Sequence, residues 1–265
     1  MNILFIGGDK RMLFAKDYLN KNGYKTDSLG LIENDNGKIE TADIIILPVP
    51  TSKDNKNIFC PLTNKEIPLK TIDKANENAI IFSANYKISN KRNIDYLKLD
   101  GYAILNAVPT AEGAISAAIE NTDFTIWKSK TLVIGNGRTG KILAERLNAL
   151  KANVTVSARK FYDFSLIDSF GLKYIETENI KETAKKYDII FNTIDVELQN
   201  DVKKQLENIL IIDLSSKGCI TEEDIKKYNL KYIKLPGIPG KTAAKTAGNI
   251  ISQTVIDILK KEKMQ

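Results

Sequence analysis

The chain has 265 residues, 43% hydrophobic and 27% charged, enough for one large or two modest domains and ordinary for a globular protein. Its 39 Lys and Arg against 33 Asp and Glu give a net charge of +6, spread as lysine without a basic block. That pattern does not indicate a nucleic-acid surface, although a mild positive field favours anionic substrates.

No histidine occurs, which excludes a Ser-His-Asp triad, a histidine base and His-ligated metal sites; no metal site is expected. The two cysteines, Cys60 and Cys219, lack metal-ligand spacing and point to a reduced cytoplasmic setting. The chain opens directly into a predicted strand rather than a secretory signal, and its apolar runs are too short to span a membrane.

In chain order, residues 2–6 predict a strand and Gly7-Gly8-Asp9-Lys10-Arg11 a glycine turn. A helix follows over 11–21, with Met12, Ala15, Tyr18 and Leu19 inward. Further strands are predicted at 24–29, 42–47, 79–83 and 102–105, a polar loop at 51–65 and a helix at 69–75. Short apolar strands separated by helical stretches imply right-handed crossovers and a parallel sheet. The Gly7-Gly8 turn resembles half a dinucleotide fingerprint but lacks a third glycine at the required spacing. Polar groups after a first strand lie at the carboxyl edge of such a sheet, where ligands bind. Gly8, Asp9 and Arg11 are therefore candidate substrate contacts, the alternative being an ordinary turn and helix start.

Residues 106–122 predict a small-residue helix beginning after Pro109, with Thr110 as N-cap and Glu112 in the first turn. It would link an N-terminal domain, 1–122, to a second domain, 123–241. Clefts between domains are where small-molecule sites concentrate.

The second domain opens on residues 130–160, KTLVIGNGRTGKILAERLNALKANVTVSARK. An apolar strand runs into Gly135-x-Gly137-x-x-Gly140, then a helix with Ile142, Leu143, Leu147 and Leu150 in register, then a second strand, Val154 to Val156. This is the order of a dinucleotide-binding βαβ unit. Gly135 allows the turn, Gly137 lets backbone approach a pyrophosphate, and Gly140 allows close helix–strand packing. Arg138 and Thr139 open the helix whose free amides would meet the pyrophosphate. A site for NAD usually carries an acid at the end of the second strand. Here Ser157-Ala158-Arg159-Lys160 stand there instead, a hydroxyl and two cations suited to a 2′-phosphate. The expected cofactor is NADP, with NAD possible.

Beyond it, helices are predicted near 162–169, 178–186 and 221–228, and strands at 172–175, 187–191, 209–214 and 231–234. A long helix closes the chain over about 242–263. The predicted strand ends Asn192-Thr193, Ser215-Ser216 and Pro236-Gly237 are small or polar, a lining that suits the nicotinamide side of a cofactor. Singly, these residues are as compatible with helix caps. Lys241 and Lys245 would open the last helix, where cations oppose the dipole unless they meet an anion.

Several stretches, taken in order, carry a resemblance over essentially the whole chain: IGGDKR, IIILPVP, NAVPTAEGAISAAIENTDFTI, VIGNGRTG, NTID, DLSSKGC and LPGIPGKTAAKTAG. They closely resemble the A subunits of the dipicolinate synthases of spore-forming bacteria, with Cys219 standing where that family has glycine. The layout is also similar to methylene-tetrahydrofolate dehydrogenases and two-domain 2-hydroxyacid dehydrogenases. The resemblance implies two doubly wound parallel-sheet α/β domains, the second a Rossmann NAD(P)-binding domain, with the C-terminal helix returning to the first. It implies oxidation of a dihydrodipicolinate-level ring to dipicolinic acid during sporulation, in the mother-cell cytoplasm, with hydride passing to a nicotinamide cofactor. The flavoprotein-like B subunit of dipicolinate synthase is the implied partner, within an oligomer. A dicarboxylate substrate needs donors, which Arg11, Thr110 and Lys241 could supply, and Glu112 and Lys241 are the candidates for catalysis. A nucleotide-binding scaffold for the B subunit, or another NADP dehydrogenase, are the competing readings.

Overall fold

The computed structural model describes residues 1–89 and 91–263. The chain divides into two compact units, Met1–Asn106 together with the residues from Pro239 onward, and Ala107–Ile238.

In chain order the first unit holds β1 (Asn2–Ile6), α1 (Lys10–Lys21), β2 (Lys25–Leu29), β3 (Ile44–Ile46), β4 (Ile80–Ser83) and β5 (Arg92–Asp95). The division falls within α2 (Asp100–Glu120). All its strand pairings are parallel, in the order β2-β1-β3-β4-β5. That is the 2-1-3-4-5 arrangement of a doubly wound sheet. The central strands are apolar on both faces, as expected where helices or loops cover both sides: Ile44, Ile45 and Ile46 are all buried.

The second unit holds β6 (Lys130–Ile134), α3 (Arg138–Ala149), β7 (Asn153–Ala158), α4 (Phe161–Ser169), β8 (Lys173–Glu176), α5 (Ile180–Thr183), β9 (Ile189–Asn192), α6 (Asn200–Lys203), β10 (Leu210–Asp213), α7 (Glu222–Tyr228) and β11 (Lys231–Lys234). Its parallel sheet runs β11-β10-β9-β6-β7-β8. Counted from β6, this is the Rossmann order 3-2-1-4-5-6, with the switch point between β6 and β9. The chain then enters α8 (Ile238–Thr242) and α9 (Ala244–Lys263). α9 returns to the first unit, as the resemblance implied. Ile251, Val255, Ile256 and Leu259 join the core that holds Ile3, Phe5, Met12 and Leu19. Ser252 donates to the Ala15 carbonyl at 2.7 Å, and the Tyr18 hydroxyl to Gln253 at 2.9 Å.

Four local expectations are corrected. Residues 102–105 are helical: Tyr102 is buried while Ile104 and Leu105 are about half exposed, one stripe of α2 rather than a strand. α2 also runs through Pro109, so Thr110 is an interior residue and not an N-cap. The lost backbone bond at Pro109 is offset by burial on both sides, of Tyr102 in one core and of Ala111, Ala114, Ile115 and Ala118 in the other. The edge strand β5 is missed by apolar patterning because its sequence, RNID, is polar and only part-buried. The single terminal helix is two, broken at Ala243, and Lys241 lies in the last turn of α8, where a cation agrees with the dipole.

Candidate cofactor-binding site

β6 delivers the chain into the glycine turn at the switch point. The Gly135 amide donates to the Ser157 carbonyl at 3.1 Å and to its hydroxyl at 3.3 Å, tying the turn to β7. A Cβ on Gly140 would lie 2.0 Å from the Gly135 carbonyl oxygen, so only glycine lets α3 pack here. Gly137 is the opposite case: a Cβ there would meet nothing within 4 Å. It is the N-cap of α3 and has no side chain with which to cap the helix. Gly137 and Arg138 are exposed and Thr139 is half-buried. A helix that starts at a glycine N-cap with an open approach is the setting in which a pyrophosphate meets backbone amides, so a dinucleotide fits the residues present.

Beyond β7, the Ser157 side chain is fully buried and turned into the glycine turn, with Thr177 also against it at 3.5 Å. Arg159 and Lys160 are exposed and engage no other described side chain. They are followed by the exposed aromatics Phe161 and Tyr162. Asn136 donates to Asp163 at 3.0 Å, linking the turn to the first turn of α4.

On the other side of the switch point, Thr193 donates to the Ile134 carbonyl at 2.8 Å and lies beside Gly140. Asn192 is buried, and its amide donates both to the Ile194 carbonyl and to Asp213, each at 2.9 Å. Ser215 is buried, its amide donating to Asp213 and its hydroxyl accepting from the Gly218 amide. Pro236 is exposed. The structure therefore gathers all the candidate cofactor residues at the carboxyl edge of one sheet. It adds Asp213, which residue type alone did not single out. Burial pushes the Asp213 carboxyl up, but hydrogen bonds from Ser215, Tyr232 and Asn192 outweigh this and hold it below the ordinary aspartate value. Burial pushes the neighbouring Cys219 thiol well up, with the Asp213 charge adding to it, so the residue is an inert packing group.

Gly8, Asp9 and Arg11 cluster at the matching edge of the first unit. Asp9 caps α1 by accepting from the Arg11 amide at 3.0 Å. Its carboxylate also takes a forked pair from the Arg11 guanidinium at 2.8 to 3.1 Å, and Arg11 donates to the Val49 carbonyl as well. Both charges thus have partners within the unit, and Arg11 is only 6% exposed. Burial pushes the Tyr102 phenol up to about 12, so it stays protonated beside this pair. Thr110 and Glu112 lie on α2 in the second unit. Glu112 is exposed and accepts from Arg146 of α3 at 3.2 Å. Lys241 is exposed on α8 in the first unit.

A Rossmann-ordered sheet with an open glycine turn, in one chain with a second doubly wound sheet, defines a two-domain dehydrogenase of the nicotinamide-dinucleotide-binding class. Similarity to known proteins narrows this. Residues 2–102 match the N-terminal domain of the dipicolinate synthase A subunit, and residues 117–230 match shikimate / quinate 5-dehydrogenase. The dipicolinate synthase A subunit of Bacillus subtilis is 32% identical, over 98% of this chain and 96% of its own length. The crystal structure of that Bacillus subtilis protein has a TM-score of 0.89 at 31% identity, covering 100% of this chain and 97% of the other. The corresponding structure from Bacillus halodurans also gives 0.89, at 28% identity and 97% coverage of both chains. The chain belongs to the family of dipicolinate synthase A subunits. It is a dehydrogenase-type subunit, and among the described residues no helix is long and apolar enough to cross a membrane.

Proposed function

We propose that this chain is an NADP-linked oxidoreductase subunit that converts a dihydrodipicolinate-level precursor to dipicolinic acid for sporulation, in the mother-cell cytoplasm and together with the B subunit of the synthase. The observation that carries the reading is 32% identity to the Bacillus subtilis A subunit over 98% of the chain. A bound nicotinamide supplies hydride acceptance. The chain's own share is to bind and align. Arg138, Thr139 and Gly140 present the first-turn amides of α3 to the pyrophosphate, and Gly137 keeps the approach clear. Arg159 and Lys160 pair with the 2′-phosphate, which favours NADP over NAD. Thr193, Ser215 and Pro236 border the nicotinamide side.

For the substrate, Gly8, Asp9, Arg11 and Thr110 are the proposed contacts. Aromatising a dihydropyridine is downhill, so orientation and removal of one proton suffice, with Glu112 and Lys241 the side chains proposed for that transfer. The pairing of Glu112 with Arg146 favours one rival, a nucleotide-binding scaffold that supports the B subunit without hydride transfer.

The deciding experiment mixes the purified chain with NADP and the condensation product of aspartate semialdehyde and pyruvate, with and without the B subunit. Growth of reduced-cofactor absorbance in its absence removes the scaffold reading. No turnover even in its presence removes the oxidoreductase reading. Glu112→Gln and Lys241→Gln, assayed in the same way, identify the proton acceptor by a fall of about a hundredfold in kcat.

A further inference from the structure

Asp213 is the last residue of β10 and is completely buried. Its Oδ1 accepts from the Asn192 side-chain amide at 2.9 Å and from the Ser215 backbone amide at 2.8 Å. Its Oδ2 accepts from the Cys219 backbone amide and from the Tyr232 hydroxyl, both at 2.6 Å. Two carboxylate oxygens offer about four lone-pair sites, and all are taken. None of the four donors is charged. A buried carboxylate without a counter-ion costs several kcal/mol in lost hydration, and an apolar side chain at the end of β10 would avoid that cost. The carboxylate is explained if a single acceptor is needed to gather donors from several directions.

The four donors come from the segments that shape one half of the sheet edge: the end of β9, two points of the turn after β10, and β11. Each is linked onward. Asn192 also donates to the Ile194 carbonyl, setting the first turn after β9, and the next residue, Thr193, bonds the end of β6. Ser215 also accepts from the Gly218 amide, closing the turn after β10. In a Rossmann-ordered sheet these segments lie across the switch point from the glycine turn, on the nicotinamide side.

We propose that Asp213 is a positioning residue for the nicotinamide half of a bound dinucleotide: it holds the segments after β9 and β10 in their receiving shape without touching the cofactor. The inference rests on the reading that the chain binds a nicotinamide dinucleotide. Because Asp213 has no exposure and no free lone pair, it is neither a contact nor a proton acceptor.

The test compares the full chain with Asp213→Asn by calorimetric titration of two probes, NADP⁺ and adenosine 2′,5′-bisphosphate. The second probe carries the adenine half alone. Asp213→Asn is expected to weaken NADP⁺ at least tenfold and the bisphosphate less than twofold. A general structural defect would weaken both together, and either that result or unchanged binding of both overturns the proposal. If Asp213→Asn does not fold, Tyr232→Phe removes one of the four donors and keeps the charge. It is expected to weaken NADP⁺ about threefold with the bisphosphate unchanged, and equal effects on the two probes overturn the proposal. Failure of the unaltered chain to bind either probe removes the dinucleotide reading itself, and the proposal with it.

Discussion

The two units begin alike and end up chemically opposite. Each opens with a buried strand, a glycine turn and a helix of 12 residues. In the first unit the turn is closed by the protein itself. Asp9 accepts from the first-turn amide of α1, Arg11 neutralises Asp9, and a Cβ on Gly8 would strike Met12 at 2.3 Å. In the second unit the N-cap of α3 is Gly137, which has no capping side chain, and a Cβ there would meet nothing within 4 Å. A glycine turn is therefore not a nucleotide site by spacing alone. The deciding feature is whether the helix start already has its anion. The first turn has one built in, whereas the N-cap of the second brings no side chain of its own and leaves room for a phosphate.

The largest expected effects come from the glycines that are packed in either turn. Gly140→Ala puts a methyl group 2.0 Å from a backbone oxygen and is expected to cost about 3 kcal/mol of stability, seen as a lower urea midpoint. Gly8→Ala, at φ +110° and against Met12, is expected to cost about 2 kcal/mol. Wild-type midpoints for both would mean that neither turn is as tight as described, and the contrast with Gly137 would collapse.

Gly137→Ala sharpens the same contrast from the other side. Its φ of −77° suits alanine and its surroundings are empty, so stability should stay within about 0.5 kcal/mol. NADP⁺ affinity should nevertheless fall about tenfold, about 1.4 kcal/mol, because the methyl group occupies the approach of the pyrophosphate. A stable variant that binds NADP⁺ normally would refute the open-turn reading. A similar loss is expected for Arg159→Ala, about 1–3 kcal/mol for NADP⁺ and little for NAD⁺. Equal losses for the two cofactors in paired titrations would remove the 2′-phosphate role.

Much of this was legible in the residues. The spacing of Gly135, Gly137 and Gly140 after an apolar run marks the βαβ turn, and the short isoleucine-rich runs of β3, β9 and β10 read as buried strands. What escaped reading depended on partners distant in sequence. Ser157 has the residue type of a phosphate contact, yet its burial turns the hydroxyl onto the Gly135 amide 22 residues away. Asp213 looks like any strand-end aspartate until Asn192 and Tyr232 close on it from 21 and 19 residues away. Pro109 pointed to a helix start, and only the burial of α2 in two cores explains why the helix runs through it.

The smallest expected effect concerns how each unit stabilises its carboxylate. Asp9 has a cation beside it, whereas Asp213 is held by neutral donors alone. Those donors outweigh burial and leave the Asp213 carboxyl below its ordinary value of 3.8, so the folded state binds its proton more weakly than the unfolded chain does. By linkage, its contribution to stability is complete above the unfolded value and is lost as pH falls through the lowered folded value. Asp213→Asn has nothing to titrate there, so its unfolding midpoint should start lower at pH 7. It should then fall less steeply than that of the unaltered chain between about pH 4 and pH 2. Parallel midpoint curves for the two proteins over that range would show that the neutral donors do no more than repay the burial of the charge. In that case Asp213 would contribute nothing that a neutral residue at the end of β10 could not supply.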